Sequence, residues 1–200
     1  MIDLHLHILP GIDDGSRNLA ESVEMAKRLN ALGFNGAFCT SHFIADSKQA
    51  ANNLIKSQLR KKLQEELDKQ GVNFKLYAGN ETYIDPKMLV HLKNQQISLL
   101  GCDFKKSTKN ISKTRKNYLL FELPFYTEVP YLRDMIFELK ANGITPILAH
   151  PERYLFLQKD NGKASELVKL GVKLQGNFGS IIGQYGGKAK KTMKFLLKNR

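Results

Sequence analysis

The sequence is poor in cysteine, in acidic residues and in long apolar runs, and each scarcity excludes something. Cys39 and Cys102 are its only cysteines. Two unpatterned thiols are too few for a disulfide framework or a thiolate zinc site. No stretch approaches the ~20 consecutive apolar residues of a membrane-spanning helix. The first residues also lack the basic-then-apolar order of a secretory signal, so the expected compartment is the cytoplasm. Acids number 19 against 31 Lys and Arg, a net charge of +12. The imbalance is local: residues 104–117 hold six Lys/Arg and no acid, and residues 161–200 hold nine against Glu166 alone. Such a surface attracts polyanions, phosphorylated or acidic protein tails among them. Its ordinary reading is a solvated basic face, and neither nucleic acid nor a membrane span is expected as a partner. Histidine is scarce too, five in 200 residues, which makes its placement informative.

Two of those histidines stand two residues apart. Ile2-Asp3-Leu4-His5-Leu6-His7-Ile8-Leu9 alternates apolar and polar, the period of a strand with one buried face. On it His5 and His7 point the same way. Pro10-Gly11 stops the strand, and Asp13-Asp14-Gly15 places carboxylates in the following turn. Paired imidazoles at a strand end with carboxylates beside them suit a divalent metal that takes nitrogen and oxygen ligands.

The rest of the chain alternates strand and helix. Asn18-x-x-Glu21 is a variant capping box that opens a helix ended by Gly33. Strand 34–40 follows, then a helix over 46–70, a strand over 72–76 and a short helix from Asp85-Pro86. Strand 118–123, helix 129–142, strand 144–149, helix 163–170, a short extended piece at 172–175 and helix 187–198 complete the series. Repeated β-α alternation predicts a parallel sheet with helices packed around it. His42, Glu81, Glu122 and His150 join His5 and His7 on or just after strands, the end at which α/β barrels build active sites. Four histidines with Asp14, Glu81 and Glu122 exceed what one metal needs, so two or three ions are expected. Cations sharing a water generate a nucleophile near neutral pH and clamp phosphoryl oxygens, which points to phosphate-ester hydrolysis. His91 falls inside a helical segment and is read as a surface residue. Asp3 shares the parity of the two histidines and is read as a support for an imidazole. Asp13 is either such a support or a turn cap. Phe125, Tyr126 and Tyr131 suit a substrate pocket or ordinary core packing equally.

Asp3-Leu4-His5-Leu6-His7 with Leu9-Pro10-Gly11-Ile12-Asp13-Asp14-Gly15 resembles the opening motif of the polymerase-and-histidinol-phosphatase (PHP) superfamily. More narrowly it resembles the metal-dependent protein-tyrosine phosphatases of bacterial capsule and exopolysaccharide clusters. Thr40-Ser41-His42, Gly79-Asn80-Glu81, Leu120-Phe121-Glu122 and Ala149-His150-Pro151-Glu152-Arg153-Tyr154 agree in order. The resemblance implies a single domain over residues 1–200, a distorted (βα)7 TIM-like barrel, with 104–117 a basic loop insertion. It implies that His5 and His7 with a bridging Glu81 hold one ion, Glu81, Glu122 and His150 a second, and Asp14 with His42 a third. Manganese is the ion it implies first, with iron, zinc or cobalt fitting the same donors. Arg153 matches the family's phosphate-binding arginine, whose planar fork suits bidentate capture of phosphoryl oxygens; the competing role is an ion pair with Glu152 or a neighbour. The implied substrate is the phosphotyrosine tail of a bacterial tyrosine kinase.

One departure concerns the far end. The family carries an Asp-x-His motif on a last strand after a helix like 187–198, and the sequence stops at Arg200. The expectation is therefore a barrel missing its last strand and two ligands. Two other functions compete: a histidinol-phosphate-type small-molecule phosphatase, and a degenerate, non-catalytic domain that binds anionic partners.

Overall fold

The alternating N-terminal segment forms strand β1 (Ile2–Leu6), and β2 (Gly36–Cys39) and β4 (Lys75–Ala78) follow it into one parallel sheet in the order β1-β2-β4. The computed structural model describes residues 1–50, 52–101 and 117–199. Within these the chain forms two compact units, Met1–Leu120 and Phe121–Arg200. The basic segment at 104–116 and Cys102 lie outside the described residues.

In the first unit, helix α1 (Leu19–Ala31) begins where the capping box predicts. The Asn18 side chain accepts from the Glu21 N–H at 3.0 Å, and the Glu21 carboxylate accepts from the Arg17 N–H at 2.8 Å. Helix α2 (Asn53–Lys69) starts later than the expected 46. Residues 44–50 turn back on themselves, with Ser47 donating to the Ile44 carbonyl, and Asn52 supplies the cap by accepting from the Ile55 N–H. The strand expected over 72–76 is displaced to β4 because residues 72–74 are used in leaving α2. The Val72 N–H donates to Leu67, and pairing with β2 begins at Gly36 and Lys75. Ile8, Val23, Ala26, Leu63, Leu67 and Phe74 form the buried core that α1 and α2 close over the sheet.

Two very short strands extend the expected pattern: β3 (His42–Phe43) and β5 (Glu81–Tyr83) pair in parallel with His42 and Glu81 as register partners. Helix α3 (Met88–Lys93) follows, and β6 (Asn117–Glu122) leads into the second unit.

In the second unit, helix α4 (Leu132–Ala141) packs on β7 (Ile144–Ala149). A 3-10 turn at Pro151–Arg153 leads to the short helix α5 (Leu155–Lys159). Helix α6 (Gly162–Lys169) is followed by β8 (Lys173–Gln175), parallel to β7, then α7 (Phe178–Ile182) and α8 (Gly186–Lys198). Leu139, Leu148, Ala149, Tyr154 and Leu157 are fully buried there. Parallel pairing thus holds in each unit, as the alternation predicted. Among the described residues no helix is long and apolar enough to cross a membrane.

Candidate functional site

In the first unit, parallel strands bring their carboxyl ends side by side, and the predicted ligands collect there. His7 follows β1, while His42 and Glu81 open β3 and β5 as register partners. The Thr40 N–H donates to the Leu6 carbonyl at 3.0 Å, and its hydroxyl accepts from the Leu6 N–H at 2.8 Å, fastening the two strand ends. The buried Glu81 carboxylate is the hub. Its Oε2 lies 3.1 Å from His5 Nε2, 3.0 Å from His7 Nε2 and 3.3 Å from His42 Nδ1, and the two Nε2 atoms lie 3.1 Å apart. Three donors at mutual distances of 3.0–3.1 Å trace one face of an octahedron with bonds of about 2.1 Å. The set of two imidazoles and a carboxylate therefore fits a divalent first-row ion in size as well as in chemistry.

A second group forms around the turn. Asp14 Oδ1 lies 3.3 Å from His7 Nδ1 and 3.4 Å from His42 Nε2, with the Asp14 side chain 72% exposed and open to exchange. Asp13 is buried and fills both roles expected of it. Its Oδ2 lies 3.0 Å from His7 Nδ1 and accepts from the His42 N–H, while Oδ1 accepts from the Gly15 N–H. When His7 is neutral, as a cation ligand must be, a carboxylate on Nδ1 selects the tautomer whose Nε2 lone pair faces His5 and Glu81. Burial disfavours charge on His7, yet its bonds to Asp13 and Glu81 outweigh that and raise its pKa to about 10. Burial likewise opposes the charged form of Asp13, but His7 and the Gly15 and His42 amides lower it to about 2. Gly15 closes the turn directly over His7: a Cβ there would collide with the His7 carbonyl and side chain. No other residue fits.

Sequence reasoning overlooked Lys56. Its side chain runs into the unit, and Nζ donates to the carbonyls of Ser41 and His42 at 3.3 and 3.0 Å, pinning the link from β2 to β3. Burial lowers its pKa to about 8. Asp3 accepts from the backbone N–H of His5 at 3.0 Å and so steadies the main chain that carries that imidazole. One reading is corrected. His91 is not a surface residue: its side chain is 13% exposed, 3.3 Å from Asp85 and 2.8 Å from Gln96 Oε1, and among the described residues it joins no ligand group.

In the second unit, Glu122 ends β6 and His150 follows β7, with Glu122 Oε2 3.8 Å from His150 Nε2 and both side chains buried. His150 adopts a left-handed conformation (φ 34°, ψ 54°), held by its N–H to the Gln175 carbonyl at 2.7 Å. Its ring packs against Phe125 and Tyr154. The Tyr154 hydroxyl, fully buried, accepts from the Leu123 N–H. The alternative of an Arg153–Glu152 ion pair fails. Glu152 turns inward, where Oε1 accepts from the Ser180 hydroxyl at 2.6 Å and the Asn177 N–H at 3.0 Å. The Arg153 guanidinium instead lies over the rings of Phe125 and Tyr185, 4.6 and 4.4 Å from their centroids. Tyr126, by contrast, is 82% exposed. Tyr185 carries no sequence signal beyond a glycine-flanked aromatic.

Known proteins share this arrangement's fold. A chain from the crystal structures of YwqE from Bacillus subtilis and CpsB from Streptococcus pneumoniae, both metal-dependent tyrosine phosphatases, superimposes with a TM-score of 0.86. That match covers 99% of this chain and 74% of the other at 28% identity. The CapC protein of Staphylococcus aureus is 30% identical over 96% of this chain and 69% of its own length. The tyrosine-protein phosphatase YwqE of B. subtilis is 28% identical over 95% of this chain and 69% of its own. The α/β fold and the PHP resemblance are thereby supported from residue to superposition. The family model for capsular polysaccharide synthesis proteins of the CpsB/CapC type matches residues 1–200 throughout, and the chain belongs to that family.

Proposed function

We propose that the chain is a metal-dependent protein-tyrosine phosphatase of the cytoplasm that regulates capsular or exopolysaccharide synthesis by dephosphorylating the tail of a bacterial tyrosine kinase. The observation that carries this reading is the face formed by His5 Nε2, His7 Nε2 and Glu81 Oε2, each 3.0–3.1 Å from the other two. On it His5, His7 and Glu81 hold one divalent cation; Asp14 and His42 serve another, and Glu122 and His150 a further one. Manganese is the first choice, and iron, zinc or cobalt suit the same donors. Bound there, such cations supply a nucleophile from water at neutral pH and neutralise charge on the phosphoryl oxygens. Asp13 orients His7, Lys56 holds the main chain of His42 in place, and Arg153 offers its N–H edge to the phosphoryl oxygens. Tyrosine phosphate is favoured as substrate by the names of the relatives, YwqE of B. subtilis and CpsB of S. pneumoniae both being tyrosine-protein phosphatases.

The test is hydrolysis of a phosphotyrosine peptide and of histidinol phosphate by protein loaded with Mn²⁺ and by the same protein after chelation. Turnover of the peptide, abolished by chelator and restored by Mn²⁺, is the expected result. Preference for histidinol phosphate would replace the substrate assignment. Absence of turnover with every first-row metal would leave a binding domain and overturn the enzyme reading.

A further inference from the structure

The arginines of the chain are not used alike. Arg17 pairs with Glu21, Arg28 with Glu24 and Arg133 with Glu166. Among the described residues Arg153 has no carboxylate partner, although Glu152 is its neighbour in sequence. Its partners are two rings, Phe125 at 4.6 Å and Tyr185 at 4.4 Å. A guanidinium is planar, with two π faces and five N–H donors along its edge. Ring contacts made through the guanidinium carbon leave its N–H donors for a ligand, and two of them restrict rotation of the long side chain.

Each ring is anchored separately. The carbonyl of Phe125 accepts from the Leu155 N–H at 2.9 Å, tying it to the start of α5 just after Arg153. Tyr185 precedes α8 at the end of the segment that begins with α7, and the buried Glu152 carboxylate binds that segment through Asn177 and Ser180. The loop then closes on itself: the Gln184 N–H donates to the Gly179 carbonyl and the Gly186 N–H to the Gly183 carbonyl. Gly183 is left-handed (φ 94°), which lets the chain reverse before Tyr185. Adjacent residues thus do complementary work, Glu152 fastening the loop and Arg153 receiving its ring.

We propose that Tyr185, with Phe125, is a positioning residue that clamps Arg153 edge-on to a tetrahedral oxyanion. The clamp rests on the reading of Arg153 as the phosphoryl-binding arginine, and it adds the residues that aim it. Lysine cannot be clamped this way, because an ammonium has no faces to stack.

The experiment is a double-mutant cycle on the Mn²⁺-loaded full chain with a phosphotyrosine peptide, together with the inhibition constant of orthophosphate. Tyr185→Ala is expected to lower kcat/KM about tenfold, the scale of one partly desolvated cation–π contact, and to weaken orthophosphate inhibition in parallel. Tyr185→Phe, which keeps the ring, restores both. In an Arg153→Ala background Tyr185→Ala costs nothing further. A full additional loss in that background, or wild-type behaviour of Tyr185→Ala while Arg153→Ala is impaired, overturns the clamp but leaves Arg153 its role. Wild-type activity of Arg153→Ala removes that role instead. A readout independent of turnover is the Arg153 Nε–Hε NMR resonance. Ring currents from Phe125 and Tyr185 displace it upfield, orthophosphate moves it, and Tyr185→Ala returns it towards the free-arginine position. An undisplaced resonance in the wild-type chain overturns the clamp outright.

Discussion

The imidazole–carboxylate cluster of the first unit and the arginine of the second solve opposite electrostatic problems. In the first, Glu81, Asp13 and Asp14 crowd around His5, His7 and His42, and nearly every ring nitrogen faces a carboxylate oxygen at 3.0–3.4 Å. That is a cage of lone pairs, suited to cations. In the second, Arg153 is kept from the nearest carboxylate and held by uncharged rings, so its charge stays available to an anion. Selectivity for charge therefore depends on which buried carboxylates are allowed to reach their neighbours. Glu81 reaches three imidazoles; Glu152 is tied away from the arginine next to it.

That contrast can be broken from either side. The largest effect is expected for Glu81→Gln, which removes the charge shared by His5, His7 and His42. Loss of metal-assisted stabilisation costs several kcal/mol, on the order of 10³-fold in kcat/KM, with metal content by elemental analysis falling in step. Unchanged metal content would show that the hub lies elsewhere. Asp13→Asn is expected to be milder. The ring of His7 keeps a partner of the same shape but loses the carboxylate that orients it, and metal affinity falls about 10–100-fold in a competition titration with a chelating dye. The smallest effect tests the second unit alone. Ser180→Ala takes one donor from the buried Glu152 carboxylate and should cost about 1–3 kcal/mol of stability, read as a lower Tm. The affinity of the His5, His7 and Glu81 group for metal should be untouched by it, and a Ser180→Ala variant that lost that ion would erase the distinction between the cluster and the arginine.

Much of the first unit was legible because its signals are local. Alternation from Ile2 to Leu9 put His5 and His7 on one face, Asn18 and Glu21 marked a helix start, and Gly33 its end. The strands β3 and β5 were not legible as strands, since two or three residues carry no period. Their register nevertheless joins His42 to Glu81. Lys56 was hidden for another reason: four-residue spacing marks the apolar stripe of α2, and a lysine that turns its stem inwards is indistinguishable from its exposed neighbours. In the second unit, the motif Ala149-His150-Pro151-Glu152-Arg153-Tyr154 stood out by resemblance, but the divergence of Glu152 and Arg153 did not. It depends on Asn177, Ser180 and Tyr185, which meet the turn only in three dimensions.

His150 illustrates a trade-off written into the backbone. A histidine at φ 34° immediately before a proline is a costly choice, on the order of 1–3 kcal/mol. Glycine would relieve it, yet glycine has no imidazole. Selection for thermal robustness alone would therefore tend to erode this position first, and resistance to such drift in a laboratory evolution for heat tolerance would measure how strongly chemistry, rather than folding, governs the end of β7.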